Sequence, residues 1–178
     1  ATVTVVDEII PTALCKDVTV TLDANGTASI TEADVDNGSS DNCALSLSLY
    51  QSNFGYADYP STTVTLTASD ATGNSAACTA NVAVMVPCDD LNYGGQIGDT
   101  EVGCCPFDPA QMVNINLPSG GGNAPIEYLW LSSNDPQLPL NQWTVEATQG
   151  DSLDPGLITE TTYYIRCARR LGCTEYLA

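Results

Sequence analysis

The sequence predicts an all-β chain built as β-sandwiches, and three observations predict it. Ten short runs alternate apolar with polar residues or are rich in β-branched ones. They fall at 2–6, 18–22, 27–30, 45–50, 62–69, 79–86, 111–117, 126–131, 161–166 and 173–177. Between them lie Asn-Gly, Gly-Asn, proline and glycine clusters, the residues of tight turns. Only TEADV, at 31–35, offers a helical turn.

Taken in order, ATVTVV alternates as a strand from its first residue. VTVTL and TASI flank Asn25-Gly26, the dipeptide of a hairpin turn. LSLSLY, TTVTLTAS and TANVAVMV then follow as strands up to Pro87 in VMVPCDD, where a module boundary is expected. Beyond it come QMVNINL, the glycine-rich loop LPSGGGNAP, IEYLWL, TTYYIR and CTEYL. The stretch ATVTVVDEIIPTALC (1–15) echoes TANVAVMVPC (79–88): a strand, then a proline, then a cysteine. Residues 1–10 therefore read as the last strand and linker of a preceding module, with modules at 11–86 and 87–178 and a longer array around them. Modules this small bury a modest core and need extra fastening.

Composition narrows function. The chain carries 22 acidic and 4 basic residues, a net charge of −18. Nucleic acid is excluded as a partner, since phosphate contacts need lysine and arginine, and an anionic membrane would repel the chain. No run approaches the ~20 apolar residues of a membrane helix, so direct insertion is not expected. Eight cysteines without a histidine or a CxxC pair point to disulfides and an oxidising compartment rather than zinc. Without histidine or a GxSxG elbow, the chain does not read as an enzyme.

Several stretches offer sites. DVDNGSSDNC (34–43) sets Asp34, Asp36 and Asp41 around Gly38, the oxygens and bend of a calcium loop, but equally the ordinary residues of a turn. Asp70 in SDATGN fits an Asx-type turn. Arg166, Arg169 and Arg170 crowd into RCARRLGC, either as a contact for an acidic neighbour or glycan carboxylate, or as a solvated hairpin tip. Cys167 and Cys173 flank ARRLG and would close that hairpin; Cys88 is expected to meet Cys104 or Cys105. Cys43 and the other member of the vicinal pair are then left free, or joined to each other or a neighbour. Trp130 reads as a core aromatic, with Tyr163 and Tyr164, whereas Trp143 in LNQWTVEA is the candidate exposed aromatic.

PTALCKDVTVTL (11–22), SDNCAL (40–45) and SDATGNSAACTANVAV (69–84) together resemble a hyalin-repeat (HYR) module. That family is an immunoglobulin-like sandwich closed by D-x-x-G-N-x-x-x-C, here Asp70, Gly73, Asn74 and Cys78. The resemblance implies a Cys15–Cys78 bridge across the module ends, stabilising by roughly 4 kcal/mol. Related modules carry a further cysteine near FGYADYP; here Gly55-Tyr56 stands there. GCCPFDPAQM (103–112), LPSGGGNAPIEYLWLSS (117–133) and DPGLITETTYYIRCARRLGC (154–173) resemble a PKD- or Ig-like adhesin module, truncated at its C-terminus.

Both halves are similar to tandem modules of large gliding-type surface proteins of Bacteroidetes. The fold implied is tandem immunoglobulin-like sandwiches. The function implied is a stalk or filament segment of a secreted cell-surface adhesin, serving display, adhesion or gliding, with type IX secretion as its route. Neighbouring modules of the same chain or filament and surface glycans are the implied partners, and calcium the one candidate cofactor. The alternative is a carbohydrate-binding accessory module, with Trp143, Arg169 and Arg170 as candidate binding residues. Asp151-Ser152-Leu153 resembles the short O-glycosylation sequence of these bacteria, making Ser152 a candidate acceptor.

Overall fold

The computed structural model describes residues 1–3, 7–98 and 100–178. The strand expected at 2–6 falls largely on residues 4–6, outside the described residues. The chain is all-β and divides into two compact units, Ala1–Pro87 and Cys88–Ala178.

In the first unit, β1 (Val18–Thr21), β6 (Ser75–Met85), β5 (Ser61–Asp70) and β3 (Leu45–Leu49) form one sheet in that order. β2 (Ala28–Ser29) pairs with β4 (Asn53–Phe54) in a second. β5 and β6 form a long antiparallel hairpin, and β1 adds to β6 in parallel, Val18 opposite Val82. Strand periodicity sends Val64, Leu66 and Ala68 of β5 and Ala80, Val82 and Val84 of β6 to the inner face, where all are buried. Leu22, Ile30, Val35 and Phe54 complete the core. The helical turn forms as α1 (Glu32–Val35) and buries Val35 completely.

The Asn25-Gly26 turn is real, with Gly26 at φ +77° and the Asp23 N–H donating to the Thr27 carbonyl. The simple hairpin around it is not, because β1 and β2 belong to different sheets. Leu22 follows β1 by donating to the Met85 carbonyl, after which the chain crosses over. Residues 1–10 fall in the first unit, and the Asp7 carbonyl accepts from Thr72 Oγ1 (3.1 Å) and Asn74 Nδ2 (3.0 Å).

The second unit is more irregular. β9 (Ile126–Ser133) lies between β10 (Thr144–Ala147) and β11 (Tyr163–Arg170), and β7 (Gln96–Ile97) pairs with β8 (Asn114–Asn116). Trp130, Leu131 and Ser132 of β9 and Arg166, Cys167 and Ala168 of β11 are buried in succession, so both faces of these strands are covered. Trp130 is the expected core aromatic and spends its indole N–H on the Gly150 carbonyl. Tyr163 is instead 41% exposed. The strand expected at 173–177 reduces to one bridge, Ala168 to Leu177.

That bridge corrects the cysteine assignment. A register of 168 opposite 177 puts Cys173 in the turn, where its N–H donates to the Arg170 carbonyl, while Cys167 points from β11 into the interior. The two cannot face one another across the hairpin. Cys173 bonds Cys88 instead, 85 residues away, so neither Cys104 nor Cys105 is the partner of Cys88. In the first unit Cys15 bonds Cys78, 63 residues away. Cys43, Cys104 and Cys105 are exposed free thiols and Cys167 a buried one.

Candidate functional site

DVDNGSSDNC divides its carboxylates between two places. Its first half is laced to the segment around Cys15: Thr12 pairs with Ser40, Cys15 with Asp36, and the Asn37 N–H donates to the Leu14 carbonyl. There Asp34 accepts at one oxygen from the Thr31 N–H (2.7 Å) and hydroxyl (2.8 Å), which fastens the start of α1. Asp36 accepts from the Ser39 N–H at 2.9 Å. These donors hold both carboxyls below their ordinary range, Thr31 chiefly for Asp34 and Ser39 for Asp36, with Lys16 adding to each.

Asp41 turns to other company. One of its oxygens lies within 4.8 Å of oxygens from Asp7 and Asp70, a grouping that includes neither Asp34 nor Asp36. The three carboxylates arrive from segments remote in sequence, and Asp7 and Asp70 carried no signal that they would meet Asp41. Asp70 sits at the end of β5 with 9% of its surface exposed. Its Oδ1 accepts from the N–H groups of Thr72, Gly73 and Asn74, and its Oδ2 from the Thr72 hydroxyl and Asn74 amide, the Asx turn expected of SDATGN. Burial raises the Asp70 pKa, but these donors, Asn74 first, outweigh it and leave it lowered. Asp7 accepts from the Ile9 N–H and the Asn42 amide, and the Ile9 bond is the main cause of its lowered pKa. Asp41 Oδ2 accepts from the Cys43 N–H, while its Oδ1 is buried without a hydrogen-bond partner among the described residues. Beside the cluster, a hydrogen bond with Asp7, then burial and the surrounding negative charge, push the Cys43 thiol up and keep it protonated.

The other grouping of potential ligands, Cys88, Asp90 and Cys173, offers no thiolate because its cysteines are bonded together. Asp90 there accepts from the N–H groups of Leu91 and Arg170, tying the entry of the unit to the end of β11.

The three arginines are turned to the protein itself. Arg166 is 4% exposed, donates to the Gly94 carbonyl and lies over the Tyr128 ring at 5.3 Å; its burial lowers its pKa. Arg169 pairs with Glu127 at 2.8 Å and lies over Tyr176 at 4.4 Å. Arg170 donates to the Gly120 and Ala124 carbonyls and so pins the glycine-rich loop. That loop needs its glycines, since at Gly121, with φ +68°, a Cβ would run into the Asp89 and Asp90 carbonyls.

Trp143 is half-buried, and its indole N–H donates to the Leu138 carbonyl at 2.9 Å. Ser152 is half-buried too; its Oγ accepts from Gln111 Nε2, and Leu153 pairs with Met112. A groove of about 400 Å³ runs beside β11, lined by Val102, Cys105, Phe107, Met112, Ile158 and Tyr164, with Glu101 and Glu160 also on its wall.

These features define an acid-rich, all-β protein of two units, each closed by one long-range disulfide, which marks a non-cytoplasmic setting. Among the described residues no helix is long and apolar enough to cross a membrane. No family model, curated protein or solved structure matches the chain.

Proposed function

We propose that the chain is a structural stalk segment of a large secreted cell-surface adhesin, made of two immunoglobulin-like sandwiches, the first HYR-like and the second PKD- or Ig-like. The observation that carries the reading is the placement of the disulfides. Cys15–Cys78 and Cys88–Cys173 each enclose most of one unit, so a pull on the chain ends meets a covalent link near each unit's entry and exit. Such a device limits extension, which suits an element that sets reach and bears load. Type IX export and display or gliding at the surface of a bacterium complete the proposal.

The rival, a carbohydrate-binding accessory module, would use Trp143 with Arg169 and Arg170. The Trp143 N–H and both guanidinium groups are spent within the protein, so the stalk is the better reading.

Two measurements test it. Antibody to the chain should label intact producing cells, and force–extension traces should lengthen on reduction. Cystines spanning 63 and 85 residues lock about 148 residues, worth about 500 Å at roughly 3.3–3.6 Å each. Cytoplasmic labelling would refute the stalk. Saturable glycan binding abolished by Trp143→Ala would transfer the assignment to the rival.

A further inference from the structure

We propose that Asp7, Asp41 and Asp70 form a binding site for one divalent cation, calcium by its chemistry, which ties the entering segment of the chain to the first unit. The inference stands apart from the stalk reading and rests on three observations.

The first is convergence. Three carboxylate oxygens lie within 4.8 Å of one another, though their residues are separated by more than thirty and nearly thirty positions of chain. Calcium–oxygen distances of about 2.3–2.6 Å put any two ligand oxygens at most about 4.6–5.2 Å apart. The observed spacing fits inside that sphere.

The second is an orphan. Asp41 Oδ1 is buried and accepts no hydrogen bond from the described residues, whereas Asp34, Asp36 and Asp70 all have donors. A buried anionic oxygen left without a donor is costly, and a cation beside it removes the cost.

The third is the absence of any basic side chain to serve instead. Lys16 is the one lysine or arginine among residues 1–87, and its charge acts on Asp34 and Asp36. Asp70, nine-tenths buried, is meanwhile fixed in place by five donors from its own turn. Asp7 is oriented by Ile9 and Asn42, with its carbonyl held by Thr72 and Asn74. The ligands are thus preorganised from three directions. Remaining coordination positions go to second carboxylate oxygens and water; calcium accepts such a flexible set of six to eight oxygens, whereas magnesium demands a strict octahedron.

The test uses the full chain, stripped with a chelator and titrated with calcium chloride by calorimetry, alongside thermal melts with and without the ion. Calcium should give a saturable heat with one equivalent bound and raise the melting temperature by several degrees. Asp41→Asn should weaken binding at least about ten-fold. Without calcium this variant should melt no lower than the parent, because it relieves repulsion among three carboxylates. Asp7→Asn should weaken binding in the same way and serves if Asp41→Asn does not fold. Asp36→Asn should leave calcium binding unchanged. The proposal is overturned if about 10 mM calcium gives neither heat nor a shift. It is equally overturned if Asp36→Asn abolishes binding while Asp41→Asn keeps it, or if magnesium acts as strongly as calcium.

Discussion

Removing the Cys15–Cys78 bond by the double substitution Cys15→Ala/Cys78→Ala should cost the first unit about 4 kcal/mol. The bond closes a loop of 63 residues. In the chain-entropy account, a loop of that length removes roughly 14 cal/mol/K from the unfolded ensemble, or about 4 kcal/mol at 25 °C. Small domains hold only about 5–15 kcal/mol in total, so the loss takes a large share of what keeps this unit folded. At roughly 4–8 °C per kcal/mol for a domain of this size, the melting temperature should fall by about 15–30 °C. Both half-cystines are partly exposed, so alanine opens little cavity and the measured loss reports chiefly on the loop. Urea unfolding followed by far-UV circular dichroism measures it. Tryptophan emission follows the second unit alone, because Trp130 and Trp143 both lie there. Cys43→Ala, which removes an exposed free thiol, is the control and should change stability by less than about 0.5 kcal/mol. A loss below about 1 kcal/mol in the double variant would refute the reasoning, showing that the unfolded first unit is already restrained without the bond.

Three other outcomes are expected. Arg166 is buried with Nε and Nη1 unpartnered among the described residues, so Arg166→Met should leave stability within about 1 kcal/mol or raise it, while Arg166→Ala should cost about 2–4 kcal/mol in lost packing; denaturant midpoints decide. Gly95→Ala should cost about 2–3 kcal/mol by the same measurement, because Gly95 sits at φ +85° and a Cβ there would meet Arg166 Nη2 and, at 2.7 Å, the Asn116 carbonyl. The pKa values of Asp23, Asp34 and Asp36 are lowered in the folded chain, Asp23 chiefly by the Thr27 N–H. Their contribution is therefore fully present above the ordinary carboxylate value of 3.8 and lost as pH falls through the folded values. Melting temperature should hold down to about pH 4 and drop below it; a rise on acidification from about pH 5 to 3 would contradict the assignment.

The strands legible in the sequence were those with one buried face. β5 and β6 alternate Val, Leu and Ala with Thr, Ser and Asn, and their pattern predicts both their extent and their inward residues. The two-residue strands β2, β4 and β7 carry too little alternation to locate, and β10 reads as polar because most of it is exposed. Around Asn25-Gly26 the local turn was legible, but not that its flanking strands join different sheets, since pairing is decided by contacts remote in sequence. The same limit explains the cysteines of the second unit. Closeness in sequence favoured Cys167 with Cys173, yet β11 extends through Arg170 and leaves them on different aspects of the fold. Asp34 and Asp36 looked like partners of Asp41 because they are near in sequence, whereas the partners brought to it in space are Asp7 and Asp70.

The acidity of the chain has a structural use that ion pairing does not provide. Among the described residues one ion pair forms, Arg169 with Glu127, against a net charge of −18. The aspartates are instead satisfied locally by N–H, hydroxyl and amide donors. Asp23 holds Asn25 and Thr27, Asp58 holds Gly55 and Gln51, Asp135 holds Gln137, and Asp154 holds Gly156. Each fixes the direction of a loop within a few residues, so a protein poor in lysine and arginine still specifies its turns. These bonds need no distant partner and are screened far less by salt than paired surface charges. The cost falls where several such loops meet, because their carboxylates are then gathered with no cation of the chain between them. Asp7, Asp41 and Asp70 stand at such a meeting, joining the entering segment, the DVDNGSSDNC loop and the β5–β6 turn. The feature that fastens each loop separately thus creates, at their junction, the one place in the first unit where a cation from solution would do what no side chain of the chain does.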